Sequence, residues 1–97
     1  MKKAYWVALV NVKNKIEYQK YTELAGPAIN LHGGKFLARG GYSQNIEGKN
    51  YERIVLIVFE SATKAKECYS SKEYQKALVY LNDDNSERNI HIVDGLD

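Results

Sequence analysis

The segment HGGKFLARGG, residues 32–41, sets Arg39 inside a short apolar run between two glycine pairs, and Arg53 opens the next apolar run, RIVLIVF. A guanidinium offers a planar fork of N–H donors that grips a carboxylate or phosphate at two points. Two of them on one surface would make an anion site. If the two runs pair as a hairpin centred near Ile46, Arg39 and Arg53 stand opposite one another on one face. Like charges opposed across strands are destabilising. At about 5 Å and an effective dielectric of about 20, the repulsion is about 3 kcal/mol. An anion held between them turns that repulsion into binding. Gly40 and Gly41 permit a bulge or a close backbone approach beside the pair. Two structural alternatives stand next to this one. The arginines splay to Glu47, Glu52 or a partner chain's carboxylate while the glycines bend an edge of the sheet, or a bulge puts the arginines on opposite faces.

The chain has eight tyrosines. Most read as amphipathic core or interface residues whose hydroxyls reach a partner or water. Tyr21 and Tyr69 are the two expected to converge with Arg39 in a pocket between helices and sheet, where distortion of the helix at Pro27 leaves room for a small molecule. Asn11 and His91 are the candidate catalytic groups beside a substrate held by Arg39. His91 alternates with Ile90 and Ile92, so it reads as a general base on a pocket wall or as a hydrogen-bonded residue at the sheet or dimer surface. The chemistry, if any, needs no cofactor. His32 sits where a helix ends and suits the dipole there. Two isolated histidines without HExxH spacing make no metal site. The glycine pairs form neither GxGxxG nor a P-loop, and Asp83, Asp84 and Asn85 lack the calcium-loop pattern. Cys68 reads as a small buried hydrophobe.

These groups need a scaffold, and 97 residues with 44% hydrophobic and 27% charged content suit a single domain over residues 1–97. The formal charge of +2, from 14 basic and 12 acidic residues, is too balanced for a phosphate-backbone partner, so no nucleic acid is expected. A lone cysteine forms no intrachain disulfide and points to a reducing, cytoplasmic home. Lys2 and Lys3 before an apolar stretch mimic a secretory signal, but Asn11 closes that stretch and no cleavage site follows. No run approaches the roughly 20 apolar residues of a membrane span, so a soluble protein is expected.

Tyr5 to Val12 reads as a strand. Asn14 with Glu17 makes a capping box for a helix that carries Tyr18, Tyr21, Leu24, Ala25 and Ala28 on one face, is loosened at Pro27 and stops at Gly33 and Gly34. Lys35 to Gly41 and Tyr51 to Phe59 are strands joined by a polar connection. Ser61 caps a short helix through Tyr69, and Ser70 with Glu73 starts another bearing Tyr74, Ala77, Leu78 and Leu81. After a polar turn at Asp83 to Ser86, Asn89 to Val93 is the last strand. This order is the ferredoxin-like βαββαβ plan, an α+β fold with a four-stranded antiparallel sheet and helices on one face. Both sides of the first strand are apolar, with Trp6, Ala8 and Val10 against Tyr5, Val7 and Leu9, and the strand holding Ile54 to Phe59 repeats the pattern. The chain has no helices to spare for the second face, so a homodimer packed sheet to sheet is expected.

EYQKY (17–21), GPAI (26–29), GGKFLARGG (33–41), Glu47–Gly48, Arg53 and YSSKEYQKA (69–77) together resemble the bacterial domain of unknown function 1330 family over nearly the whole chain. The resemblance implies a dimeric α/β-barrel architecture and kinship of fold with small cofactor-independent monooxygenases and chlorite dismutase-like proteins, and it implies no activity. The chain departs from the family's look at Cys68, where tryptophan is frequent, at Lys72, where proline is frequent, and near Asn82, where an arginine often follows the last helix. Two functional readings result. One is a protein that binds, or processes without cofactor, a small anionic or aromatic metabolite. The other is a noncatalytic ligand-sensing or assembly module whose arginines are structural. An RNA-recognition domain shares the strand order but needs an aromatic RNP1-like run on its third strand, which YERIVLIVF lacks.

Overall fold

The computed structural model describes residues 2–96. Its elements are β1 (Ala4–Val12), α1 (Lys15–Leu31), β2 (Lys35–Arg39), β3 (Arg53–Phe59), α2 (Ala62–Ser70), α3 (Lys72–Leu78) and β4 (Ser86–Asp94). The four strands form one antiparallel sheet in the order β2-β3-β1-β4. This is the ferredoxin-like α+β fold expected from the strand and helix order. Among the described residues no helix is long and apolar enough to cross a membrane.

Alternation along the strands decides which face the helices cover. Ala4, Trp6, Ala8 and Val10 of β1 and Val55, Ile57 and Phe59 of β3 are buried, and they pack against Tyr18, Tyr21, Ala25, Ala28 and Ile29 of α1 and Tyr74 and Ala77 of α3. Trp6 lies at the centre, with its ring 5.9 Å from Phe59, 5.8 Å from Tyr69 and 5.2 Å from Tyr74. The intervening residues, Tyr5, Val7, Leu9, Ile54, Leu56 and Val58, face the other way and are half-buried.

Local chemistry sets the helix ends. The Asn14 side chain accepts from the backbone N–H of Ile16 and of Glu17 at the start of α1, which satisfies two of the N–H groups a helix start leaves unbonded. At the other end the Gly34 N–H bonds the Ile29 carbonyl and the Gly33 N–H bonds that of Asn30. This is a Schellman cap, closed by Gly33 at φ +87°. The helix runs unbroken through the exposed Pro27, whose ring removes one N–H and leaves the Glu23 carbonyl without its helical donor.

Several boundaries differ from the sequence reading, among them the end of α3 at Leu78, short of Leu81. The break between α2 and α3 falls at Ser71, not Ser70, because the Ser71 hydroxyl accepts from the Tyr74 N–H and caps α3. β2 and β3 are shorter than expected, since the segment from Gly40 to Glu52 leaves the ladder after the Gly40 N–H bonds Ile54. β4 starts three residues early, at Ser86. Asn85 is buried, its side chain accepts from the Asn82 N–H and donates to the Tyr80 carbonyl, and its own carbonyl accepts from Lys13 and Asn14. That lock against the end of β1 forces Ser86 to Asn89 to pair with it despite their polarity.

Candidate functional site

The chain contains three arginines, Arg39, Arg53 and Arg88, and all three line one cleft between α1 and the sheet. The register brings them there. Arg53 and Arg88 both pair with Val10, one from each side, so they share a rung with a buried residue and point to the helix side. Arg39 owes its direction to a bulge between Phe36 and Ala38. Without the extra residue Arg39 would fall opposite Ile54 and face away from the helices. With it, Arg39 pairs with Val55 and joins the face of Arg53. The two are therefore diagonal neighbours rather than directly opposed. At the 7–8 Å typical of such pairs their repulsion is about 2 kcal/mol.

None of the three forms an ion pair among the described residues. Neither acid suggested by the sequence serves them: Glu52 accepts from the Val12 N–H, and no aspartate or glutamate lines the cleft. Aromatic rings take the place of carboxylates. The guanidinium carbon of Arg39 lies 4.0 Å from the centre of the Phe36 ring, that of Arg53 5.6 Å from Tyr18 and that of Arg88 4.9 Å from Tyr21. A cation over an aromatic face is worth about 0.5–2 kcal/mol, which offsets part of the cost of gathering three charges. The Nε of Arg53 and of Arg88 are buried without a hydrogen-bond partner among the described residues. Each orphaned donor costs about 1–3 kcal/mol.

Arg88 also donates from Nη2 to the hydroxyls of Tyr21 and Tyr74, both at 2.9 Å, and those hydroxyls lie 2.6 Å apart. Burial pushes the Tyr21 phenol well above its ordinary value, with Tyr74 adding to the rise and Arg88 opposing it. Burial raises Tyr74 as well, again against the pull of Arg88. Both are neutral phenols at physiological pH. Burial works against the charge of Arg88, but the facing phenol oxygens outweigh that loss.

Glycines give the arginines their places. A Cβ on Gly26 would stand 2.6 Å from Arg39 Nη2, so the guanidinium lies against the bare backbone of α1. A Cβ on Gly40 would collide with the Arg53 guanidinium, and Gly40 holds φ +72°, a conformation other residues adopt only at a cost. Arg39 is exposed and closes the mouth. Behind it the free volume is about 30 Å³, room for a water or two.

Arg39, Arg53, Tyr21 and Gly40 from the sequence reading thus meet at one place. The other four do not join them. Asn11 and His91 lie on the opposite face of the sheet, where strand alternation puts every odd residue of β1 and β4. Asn11 there holds the loop before β3, donating to the Asn50 carbonyl and accepting from the Glu52 N–H. Tyr69 lies outside the cleft lining and packs on Trp6 and Tyr74. Gly41 has nothing around its Cβ direction. His32 caps α1 and bonds Glu73 of α3 at 3.0 Å, and burial raises the Cys68 thiol to about 11. Among the described residues no three His, Cys, Asp or Glu side chains are placed to hold a metal ion. Arg88 and the role of Tyr74 were missed. Counting back by twos from Ile90 puts Arg88 on the helix side, and the rarity of arginine in the chain was the second available signal.

The family model described as "Domain of unknown function (DUF1330)" matches residues 3–96. No curated protein matches the chain. Among solved structures, a protein of unknown function from Rhodopseudomonas palustris is 14% identical with a TM-score of 0.77, covering 99% of this chain and 84% of its own. A protein from Caulobacter crescentus, provisionally assigned as an antibiotic biosynthesis monooxygenase, is 16% identical with a TM-score of 0.67, covering 99% and 92%. A nipsnap family protein of unknown function from Agrobacterium tumefaciens is 17% identical with a TM-score of 0.55, again covering 99% and 92%. At such identities the likeness is one of fold.

Proposed function

The chain belongs to the DUF1330 family, and from that premise we propose that it binds a small anionic or aromatic metabolite in the cleft lined by Arg39, Arg53 and Arg88. One observation carries the reading: every arginine of the chain is committed to one cleft that contains no acid. A structural arginine is ordinarily matched by a carboxylate, because an unpaired charge taken from water is costly. Here the missing negative charge is left for a ligand. The aromatic rings under the guanidinium groups supply an apolar floor for the ligand's body, the usual composition of a small-molecule site. Arg39, exposed at the mouth, swings outward to admit the ligand and closes on it.

The working unit is a homodimer in the cytoplasm. Val7, Leu9, Ile54, Leu56 and Val58 form a continuous apolar strip that no helix among the described residues covers. A second copy presents the same strip, and a two-fold axis lying between the two sheets matches it to itself. Any processing of the ligand is cofactor-free and belongs to Tyr21, the cleft tyrosine whose hydroxyl lies against Arg88.

The test is a thermal-shift screen of small carboxylates and phosphates on wild type and Arg39→Ala at fixed protein concentration and salt. A ligand at about 100 times its Kd stabilises by about 2.7 kcal/mol, several degrees for a domain this size. A shift lost in Arg39→Ala is the expected outcome. No shift across the panel, with Arg39→Ala loosening the dimer instead, would leave the arginines as architecture and the protein as an assembly module.

A further inference from the structure

The hydrogen bonds around Arg88 do not close. Two phenols bring two protons and two oxygens. Arg88 Nη2 donates to both oxygens, at 2.9 Å each, and a guanidinium accepts nothing. One phenolic proton lies between the two hydroxyls at 2.6 Å. The other has no acceptor among the described residues. Tyr74 is fully buried behind Trp6 and does not reach the cleft, whereas Tyr21 lines it. The arrangement that strands no proton in the core has Tyr74 donating to Tyr21 and Tyr21 offering its own proton to the cleft.

A second donor surplus lies alongside. Arg53 Nε and Arg88 Nε are buried and unpaired, and the cleft lining holds no carboxylate or side-chain amide that could accept from them. The surplus is divided between two places. Arg53 and Arg88 flank Val10 on strands two apart, a backbone separation of about 10 Å. Each guanidinium is packed on a different ring of the Tyr18–Tyr21 pair, whose centroids are 5.2 Å apart. A single carboxylate, with two oxygens about 2 Å apart, serves one of these places and leaves the other unsatisfied.

We propose that the ligand is a small acid with two oxyanion groups, one held by Arg39 and Arg53 and the other by Arg88 together with the Tyr21 hydroxyl. This rests on the anion-binding reading of the cleft and adds to it the number of charged groups and the identity of the donor that distinguishes them. Tyr21 is the discriminating residue. Its proton is offered only to an acceptor, and the neighbouring Arg88 charge favours a carboxylate over a neutral amide at that end. The raised phenol keeps Tyr21 protonated across the physiological range, as a donor requires.

The experiment is isothermal titration of wild type, Tyr21→Phe, Tyr74→Phe and Arg39→Ala with succinate, glutarate and their monoamides, at fixed salt. Wild type is expected to bind at least one diacid ten-fold or more tightly than its monoamide. Tyr21→Phe should reduce that preference to within about three-fold by weakening the diacid more than the monoamide, since a hydrogen bond to a charged group is worth about ten-fold or more and one to a neutral amide carbonyl less. Tyr74→Phe, which removes a buried hydroxyl of the same cluster without touching the cleft, should keep the preference. Arg39→Ala should weaken diacid and monoamide alike. Equal affinity for diacid and monoamide overturns the two-group proposal and leaves the anion site standing, and a preference that survives Tyr21→Phe overturns Tyr21 as the discriminating donor. Absence of binding by every compound overturns both the two-group proposal and the anion site.

Discussion

The face of the sheet that the helices cover carries the chain's three arginines, and the face they leave open carries Val7, Leu9, Ile54, Leu56 and Val58. A protomer built only to be stable would have these the other way round, with charge in water and aliphatic side chains inside. The inversion on the covered side leaves buried guanidinium nitrogens without partners, and the inversion on the open side leaves apolar strands in contact with water. Under the proposed function each is relieved by something outside the protomer, the covered face by an anion and the open face by a second copy.

The largest effect is expected where the apolar strip is broken. Leu56→Asp places a charge at the centre of the open face, directly across from Val7 of β1. In a two-fold dimer the change acts twice, and each copy combines the loss of about 1.5–3 kcal/mol of burial with the cost of an unpaired charge. Sedimentation equilibrium should give near twice the 11.1 kDa protomer mass for wild type and the protomer mass for the variant. A wild-type protein that sediments as a monomer removes the second copy from the comparison.

Arg53→Met should act with the opposite sign. Replacing an unpaired, half-buried charge by an apolar chain of similar length is often neutral or stabilising, and it also removes the repulsion between Arg53 and its diagonal neighbour Arg39. We expect a gain of about 1 kcal/mol at the melting temperature, about 4–8 °C for a domain this size, together with loss of the response to anions. A drop in stability of the same size would mean that Arg53 is structural and that the two faces do not differ in kind.

The smallest effect lies away from both faces. The hydrogen bond from His32 holds the Glu73 carboxyl below the ordinary carboxylate range. A carboxyl depressed in the folded state adds stability above its unfolded pKa, and that addition is lost as the pH falls through the folded value. Urea titrations of wild type and Glu73→Gln, stepped from about pH 7 to about pH 3, should therefore converge toward the acid end, with wild type the more stable near neutrality. Curves that stay parallel would show that the pair joining α1 to α3 contributes nothing through Glu73.

Much of this was legible in the residues. The Asn14 cap, the Gly33 stop, the alternation of Trp6, Ala8 and Val10, and the break in the second helical region all follow from interactions within a few positions of one another, so a linear reading finds them. Half of the cleft was legible as well, because Arg39, Arg53, Tyr21 and Gly40 stand in segments whose strand or helix character is plain. Arg88 was not, because Ser86 to Asn89 has the composition of a turn and becomes strand only when Asn85 is locked against the end of β1. Asn11 and His91 were misplaced for a related reason: their side of the sheet depends on which face the helices cover, and both faces of β1 are apolar.

Composition and short-range periodicity were enough for the fold class and for the apolar open face, while the lack of acids beside the arginines came from the packing. Only the tertiary structure decided that the three arginines share one cleft. Strand register and the bulge after Phe36 set the side of each, and a shift of one residue in either pairing would have sent a guanidinium to the other face.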